Sequence, residues 1–281
     1  LEFRRVLFRS VASKKALSKH SPDRLIIYNN LYSANHAFHA VAKKIGVASY
    51  CMHAWDNFGS ICQGIFLIQG SGFDYMYDAV RLWRTYYQNQ PVNNRTISYV
   101  KEHHSSVMSA NTVFTYSQPK ANEHVDIKKY FGIQPNLKIA VALMSSYDEI
   151  YAAYAIGAYA THEPKMYKNQ VLWLTDLIEF FSKREDLFLI IRVHPREFPN
   201  RREGCKSENA KVYEEMLSSL PNNIKANMPS DNLSIYDLAP DVNLILNGFS
   251  SAGLEMALLG LPVLSYAHEW NIYPIDLDCF V

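Results

Sequence analysis

The chain has 281 residues and a formal net charge of +1, with 48% hydrophobic and 20% charged residues. That balance describes a globular protein of one large or two ordinary domains rather than a disordered chain. It offers no general electrostatic pull toward nucleic acid. Cys51, Cys62, Cys205 and Cys279 are scattered, with no CxxC pair and no histidine at metal spacing, and so read as reduced cytosolic thiols. The longest apolar runs, such as Leu187 to Ile191, are far too short to cross a bilayer.

The first ten residues, LEFRRVLFRS, read as translated adaptor sequence, and native sequence is expected from about Val11. Arg24 to Tyr28 is a strand. A helical pattern runs from Ala34 to Ile45, with Ala37, Phe38, Val41 and Ile45 on one face and Gly46 as its stop, and Val47 to Met52 is the next strand. This βαβ unit implies a parallel sheet with working loops at the strand C-terminal ends. Two loops qualify, Asn29 to Ser33 and His53 to Gly59. Phe73 to Ser109 reads as helices rich in Tyr, Trp and Arg; an extended segment at Thr112 to Tyr116 then leads to a short helix, Ala121 to Phe131.

Gly132-Ile-Gln-Pro135-Asn is the linker candidate. It divides the chain into an N-terminal domain, residues 11–134, and a C-terminal domain, residues 135–281. The second half opens with a strand, Lys138 to Met144, that ends in Ser145-Ser146-Tyr147-Asp148-Glu149. A long helix follows, about Lys165 to Lys183, with Val171, Leu174, Ile178 and Phe181 on one face. Leu187 to Val193 is a continuous apolar strand, the signature of a parallel sheet covered on both faces, and it delivers His194-Pro195-Arg196. A helix near Asn209 to Leu220 and a strand at Asn222 to Ala226 come next, and Ser234-Ile-Tyr-Asp237 has the form of a capping box.

Leu244 to Tyr266, LILNGFSSAGLEMALLGLPVLSY, is the most specific stretch: a buried strand, a small-residue turn, a short helix stopped at Gly260, and a second strand. Helix starts carry unpaired N–H groups and partial positive charge, so Ser250, Ser251 and Gly253 suit a phosphate, and Glu255 lies within reach of an attached ribose. On local pattern such serines are more often a helix cap than a ligand site, and Glu255 near a helix start complements the dipole. Three loops, Ser145 to Glu149, His194 to Arg196 and Ser250 to Glu255, are expected to converge and to supply hydroxyls, N–H donors and a cation. Protonated, His194 offsets charge on a departing phosphate; neutral, it donates one hydrogen bond. A strand-ending histidine satisfying a carbonyl is the plainer reading. Arg192 has no assigned face, and Arg196, Arg201 and Arg202 read either as a solvated loop or as phosphate partners.

In the first half Asp56 and His53 share a loop, and either suits a general base for an acceptor hydroxyl; a polar loop with Asp56 bonding its own turn is the alternative. Asp276-Leu-Asp278 has a metal-binding form but falls outside the expected cleft. The adjacent pair His103-His104 points apart on a helix and makes a poor metal site. Asn94-Arg-Thr96 and Asn232-Leu-Ser234 match a glycosylation pattern that arises by chance.

IIRVHPRE, followed by PNNIKANMPSDNLSIYDLAPDVNLILNGFSSAGLEMALLGLPVLSY, resembles the C-terminal half of bacterial capsule and surface polysaccharide biosynthesis transferases. The resemblance covers roughly Ser21 to Pro274. It implies an α/β fold of the GT-B kind: two Rossmann-like domains facing across a cleft, each expected to be truncated at its chain end. It places His194 and Pro195 on the family's His-Pro motif, Ser250 and Ser251 on its serine pair, and Glu255 on its ribose-holding acid. Asn29, Tyr32 and Ser33 resemble a cleft loop. The family's loop Glu, followed by a small basic turn, is replaced here by His53-Ala-Trp-Asp56-Asn-Phe-Gly.

The expected activity is a metal-independent transfer of sugar from a nucleotide sugar to a growing surface polysaccharide or lipid-linked acceptor. No cofactor and no nucleic acid take part. The expected location is the cytoplasm, with peripheral association at the inner membrane face or with an export complex. A nucleotide-sugar epimerase of the same fold and a non-catalytic nucleotide-sugar-binding module are the competing readings.

Overall fold

A computed structural model describes residues 2–54, 65–70, 81, 83–111, 116–146, 165–200 and 204–267. The chain divides into two compact units, Leu1–Pro91 with Glu149–His162, and Val92–Asp148 with Glu163–Val281. The division falls after Pro91, not at the 134/135 linker. Gly132 is a turn residue all the same: it ends a helix with φ 68°, in the left-handed region that glycine enters without strain.

The first unit begins with helix α1 (Glu2–His20), strand β1 (Arg24–Tyr28), helix α2 (Ser33–Lys44) and strand β2 (Ala48–Ala54). The first two strands pair in parallel, Arg24 with Ala48 through Tyr28 with Met52, as a βαβ unit requires. A third strand, β3 (Ile65–Gln69), adds antiparallel to β2. Sequence pattern left residues 65–69 unassigned, and β2 runs on through His53 and Ala54, because pairing with Phe66 and Ile65 extends it. Residues 2–10, expected outside the fold, continue α1, whose Leu17 and Ser13 are buried and whose Arg9 guanidinium donates to Ser33 Oγ at 2.5 Å.

In the second unit, α3 (Asn94–Met108) and α4 (Ile127–Phe131) precede four βα segments and a fifth strand among the described residues. These are β4 (Lys138–Leu143), α5 (Gln170–Ser182), β5 (Leu187–Arg192), α6 (Ala210–Leu217), β6 (Ile224–Asn227), α7 (Ile235–Leu238), β7 (Leu244–Asn247), α8 (Ser251–Leu258) and β8 (Val263–Ser265). Helix α5 starts five residues later than expected because the Asn169 side chain accepts from the Leu172 N–H at 3.0 Å and sets the cap there. All neighbouring strands pair in parallel, in the order β6-β5-β4-β7-β8.

This is the doubly wound order: the chain starts in the middle, builds outward on one side, and crosses back to build on the other. Alternate residues Ile139, Val141 and Leu143 of β4 join Phe188, Ile190, Ile245 and Val263 in a cluster closed by Leu238 and Met256. Burying each such side chain contributes about 1.5–3 kcal/mol, which is why the run Leu187 to Ile191 carries no polar residue.

Candidate functional site

Strand register determines what meets at the sheet edge. Arg192 pairs with Leu143, and Leu143 pairs with Asn247, so the three strands end level. The loops starting at Ser145, His194 and Phe249 therefore leave the same edge at the same height. The chain reverses its winding direction between β4 and β7, and open parallel sheets bind ligands at that crevice. Ser145, with Ser146, and the serine turn flank it directly: the Phe249 N–H donates to Ser145 Oγ at 3.4 Å. His194 stands two strands from β7, about 10 Å at ordinary strand spacing.

The turn is closed from within. Asn247, fully buried, accepts from the Ser250 N–H and donates to the Ser250 carbonyl, both at 3.2 Å. Ser250 is the N-cap of α8, its Oγ accepting from the Ala252 N–H, and Gly253 N–H reaches the Ser250 carbonyl at 3.0 Å. The plainer reading of Ser250 as a cap is thus the observed one. Of the N–H groups from Phe249 to Gly253, that of Ser251 alone has no partner among the described residues. It stands at the positive end of α8 with the exposed Ser251 hydroxyl beside it, and the capping Ser250 Oγ retains a proton to donate. Gly253 is buried two positions further in. Gly248 leaves room for an aromatic wall, since a Cβ there would sit 2.9 Å from Tyr266 Cε1. Tyr266 packs in turn on Trp173 and Tyr167.

Ser145 and Ser146 are both buried. Gln170, at the start of α5, clamps Ser145: its Oε1 accepts from the Ser145 N–H at 2.6 Å and its Nε2 donates to the Ser145 carbonyl at 3.2 Å and to Tyr213 Oη at 2.9 Å. Tyr147, Asp148 and Glu149 lie outside the described residues. His194 caps the turn Pro195–Glu197, its Nδ1 accepting from the Arg196 N–H at 3.3 Å, which in the neutral ring leaves the proton on Nε2. The Arg196 guanidinium lies over the Tyr116 ring at 5.7 Å. Arg201 and Arg202 lie outside the described residues.

Arg192 is a structural group. It donates to Asn227 Oδ1 at 2.5 Å and to the Leu233 carbonyl at 3.0 Å, tying β5 to β6 and to the turn before α7. Burial pulls its guanidinium down to about 10, with Asp231 and Asp237 opposing the shift.

Glu255 lies one turn into α8 and is half-buried. The Tyr236 hydroxyl donates to its Oε2 at 2.5 Å. Burial pushes the Glu255 carboxyl above the usual range, the Tyr236 bond partly offsetting it, and burial raises Tyr236 as well, with the Glu255 charge adding to the effect.

In the first unit His53 is a strand residue rather than a loop residue. Its ring stacks on Tyr28 at 5.6 Å. The Leu31 N–H donates to Asn29 Oδ1 at 3.2 Å, which fixes the amide so that Asn29 Nδ2 faces His53 Nε2 at 3.3 Å. The Nε2 lone pair is therefore engaged, and the neutral ring carries its proton on Nδ1. Asn30 is buried and donates to the Gly70 carbonyl. Asp56, the other base candidate, lies outside the described residues, as do Asp276 and Asp278. No group of histidine, cysteine and carboxylate side chains suited to a metal occurs among the described residues, and His103 and His104 meet only edge to face.

Sequence reasoning missed Asn247, Gln170 and Tyr236, which hold the turn, the Ser145 backbone and Glu255. Asn247-Gly248 after a strand is a turn signal. Gln170 and Tyr236 carry no local signal, because their partners lie 25 and 19 residues away.

No protein-family model matches the chain, and no curated protein matches it. Solved structures do. Thermosulfurimonas dismutans KpsC, a beta Kdo 2,4 transferase, aligns over 89% of this chain and 70% of its own at 10% identity, with a TM-score of 0.52. The beta Kdo 2,7 transferase of KpsC from the same organism aligns over 97% and 77% at 14% identity, with a TM-score of 0.46. S. aureus MnaA solved with UDP aligns over 94% and 64% at 12%, with a TM-score of 0.35. What the first likeness shows is the fold, a Rossmann-like α/β architecture of the GT-B kind.

Proposed function

We propose that the chain is a nucleotide-sugar-dependent glycosyltransferase, its second unit holding the donor. The observation that carries the reading is the arrangement at the switch point. A Ser251 N–H with no partner among the described residues, at a helix start, and a half-buried carboxyl, Glu255, lie one helical turn apart on α8. An anion suits the first and a diol suits the second, and a nucleoside phosphate carries both in that order.

In this reading Ser250, Ser251 and the α8 dipole take the phosphate, with Ser145, Ser146 and Gly253 shaping the crevice. His194, locked by Pro195 and flanked by Arg196, donates from Nε2 to the departing phosphate, an electrostatic contribution made where charge develops. The transfer uses no metal. Asp56 or His53 deprotonates the acceptor hydroxyl; for His53 this requires its Nε2 to exchange the Asn29 contact for the acceptor. The acceptor is a growing capsule or lipopolysaccharide chain or a lipid-linked glycan. The enzyme works in the cytoplasm, at or near the inner membrane face; no helix among the described residues is long and apolar enough to span a membrane.

A thermal-shift panel of nucleotides and nucleotide sugars tests the donor site. At least one ligand is expected to raise the melting temperature, and His194→Ala to remove most of that rise for a diphosphate-linked ligand. No shift with any ligand, or an unchanged shift in the variant, refutes the assignment. Sugar transfer to acceptor, rather than conversion of one free nucleotide sugar to its epimer, separates the transferase from the epimerase.

A further inference from the structure

Tyr236 and Glu255 are joined by a contact that packing alone does not require. The Tyr236 ring is 4% exposed and belongs to the apolar cluster of the second unit. Helix α7 holds it rigidly through a complete capping box. Ser234 Oγ accepts from the Tyr236 N–H, and the Asp237 carboxylate accepts from the N–H groups of Ser234 and Ala121, both at 2.9 Å. From that fixed ring the hydroxyl emerges to donate to Glu255 Oε2.

The second carboxyl oxygen, Oε1, takes no hydrogen bond from any described residue, and no described cation faces the group. A half-buried carboxylate without a cation is stabilised by hydroxyl donors instead. A free glutamate would have to freeze its rotamers to accept them, whereas one with Oε2 already held has that ordering in place.

We infer that Tyr236 is a positioning residue of the donor site: by holding Oε2 it presents Oε1 to the vicinal hydroxyls of a ribose, so the preference for ribonucleotides resides in the Tyr236–Glu255 pair. The inference rests on the donor-site reading above, and it adds a residue that never touches the ligand.

The test is calorimetric titration of UDP, CMP and GDP, each beside its 2′,3′-dideoxy form, into the whole chain and its Tyr236→Phe, Glu255→Gln and doubly substituted variants. The whole chain is expected to prefer a ribonucleotide. Tyr236→Phe should weaken that ribonucleotide about tenfold and leave the dideoxy form within about twofold, as loss of one hydrogen bond to a charged acceptor implies. The double variant should bind no more weakly than Glu255→Gln alone, because Tyr236 acts through Glu255. Equal weakening of both ligand forms by Tyr236→Phe, or additive losses in the double variant, would overturn the positioning role. Should Tyr236→Phe not fold, Glu255→Gln still decides: an undiminished ribose preference there refutes the pair's role. Absence of binding by the unsubstituted chain overturns the donor site itself, and the inference with it.

Discussion

The two sheets differ in what they bury. Every residue of β4 after Lys138 is buried, and so is every residue of β5 after Leu187. In β1, by contrast, Ile27 alone is buried, while Ile26 and Tyr28 are 58% and 50% exposed. The five-stranded sheet is parallel throughout; the three-stranded one ends in an antiparallel strand whose Ile65 and Leu67 are more than half exposed. A sheet covered on both faces holds its strand ends at fixed heights, so polar groups on the loops after it can be placed to within a hydrogen bond. Ser145, Gln170, Asn247 and Ser250 show that placement in the second unit. In the first unit the Asn29–His53 contact supplies a comparable fixed point, with less apolar burial beneath it.

The contrast is broken or sharpened most strongly by removing apolar volume. Ile190→Ala, in a fully buried strand, is expected to cost about 2–5 kcal/mol in urea unfolding, whereas Ile26→Ala should stay within about 0.5 kcal/mol. Equal costs would mean that the two sheets are equally well covered.

A smaller effect separates the two roles of Ser250. Ser250→Asp keeps a capping oxygen for α8 and adds charge where a phosphate would bind. Melting should therefore change little, while nucleotide affinity measured by calorimetry falls about 100-fold, or ~2.7 kcal/mol. Ser250→Ala should do the reverse on stability, lowering it by about 1 kcal/mol through loss of the cap, and Ser251→Ala, which caps nothing, should leave melting unmoved.

The smallest effect is in pH dependence. The folded-state pKa of Glu255 lies above its ordinary 4.5, so its contribution to stability is fully present below 4.5 and is lost as pH rises through the folded value. Glu255→Gln removes that loss. The stability of the variant relative to the unsubstituted chain should therefore rise with pH across that window in paired urea titrations. A difference that is flat or falls with pH would show that burial does not dominate at Glu255.

Most elements of the second unit were legible because each carries a local cause. Leu187 to Ile191 is apolar without alternation, Ser250 is a cap, Ser234 and Asp237 form their box as expected, and Gly132 takes the left-handed φ that ends a helix. Two helix starts were placed too early, at Lys165 and Ala121, because the caps that set them, Asn169 and Asp126, were not read. Strand β3 was not legible, because pairing with β2 rather than any period in residues 65–69 makes it a strand. The division of the chain after Pro91 was hidden for a similar reason. Val107, Ile127 and Ile133 belong to the same buried cluster of the second unit as Leu233 and Leu238, which lie about a hundred residues or more further along the chain.

The sequence by itself determined that this is an α/β protein and that a serine turn opens a helix after a buried strand. Both follow from periodicity, glycine and capping chemistry, which act over a few residues. Tertiary structure alone decided that the loops from Ser145, His194 and Phe249 leave one edge at one height, because register is a property of strand pairs. It also decided that, among the described residues, the turn from Phe249 to Gly253 leaves the N–H of Ser251 to offer, since Asn247 and Ser145 consume two of the others. Finally it decided that Glu255 is held by Tyr236, a partner 19 residues away that only the shared buried cluster of α7 and α8 brings within a hydrogen bond.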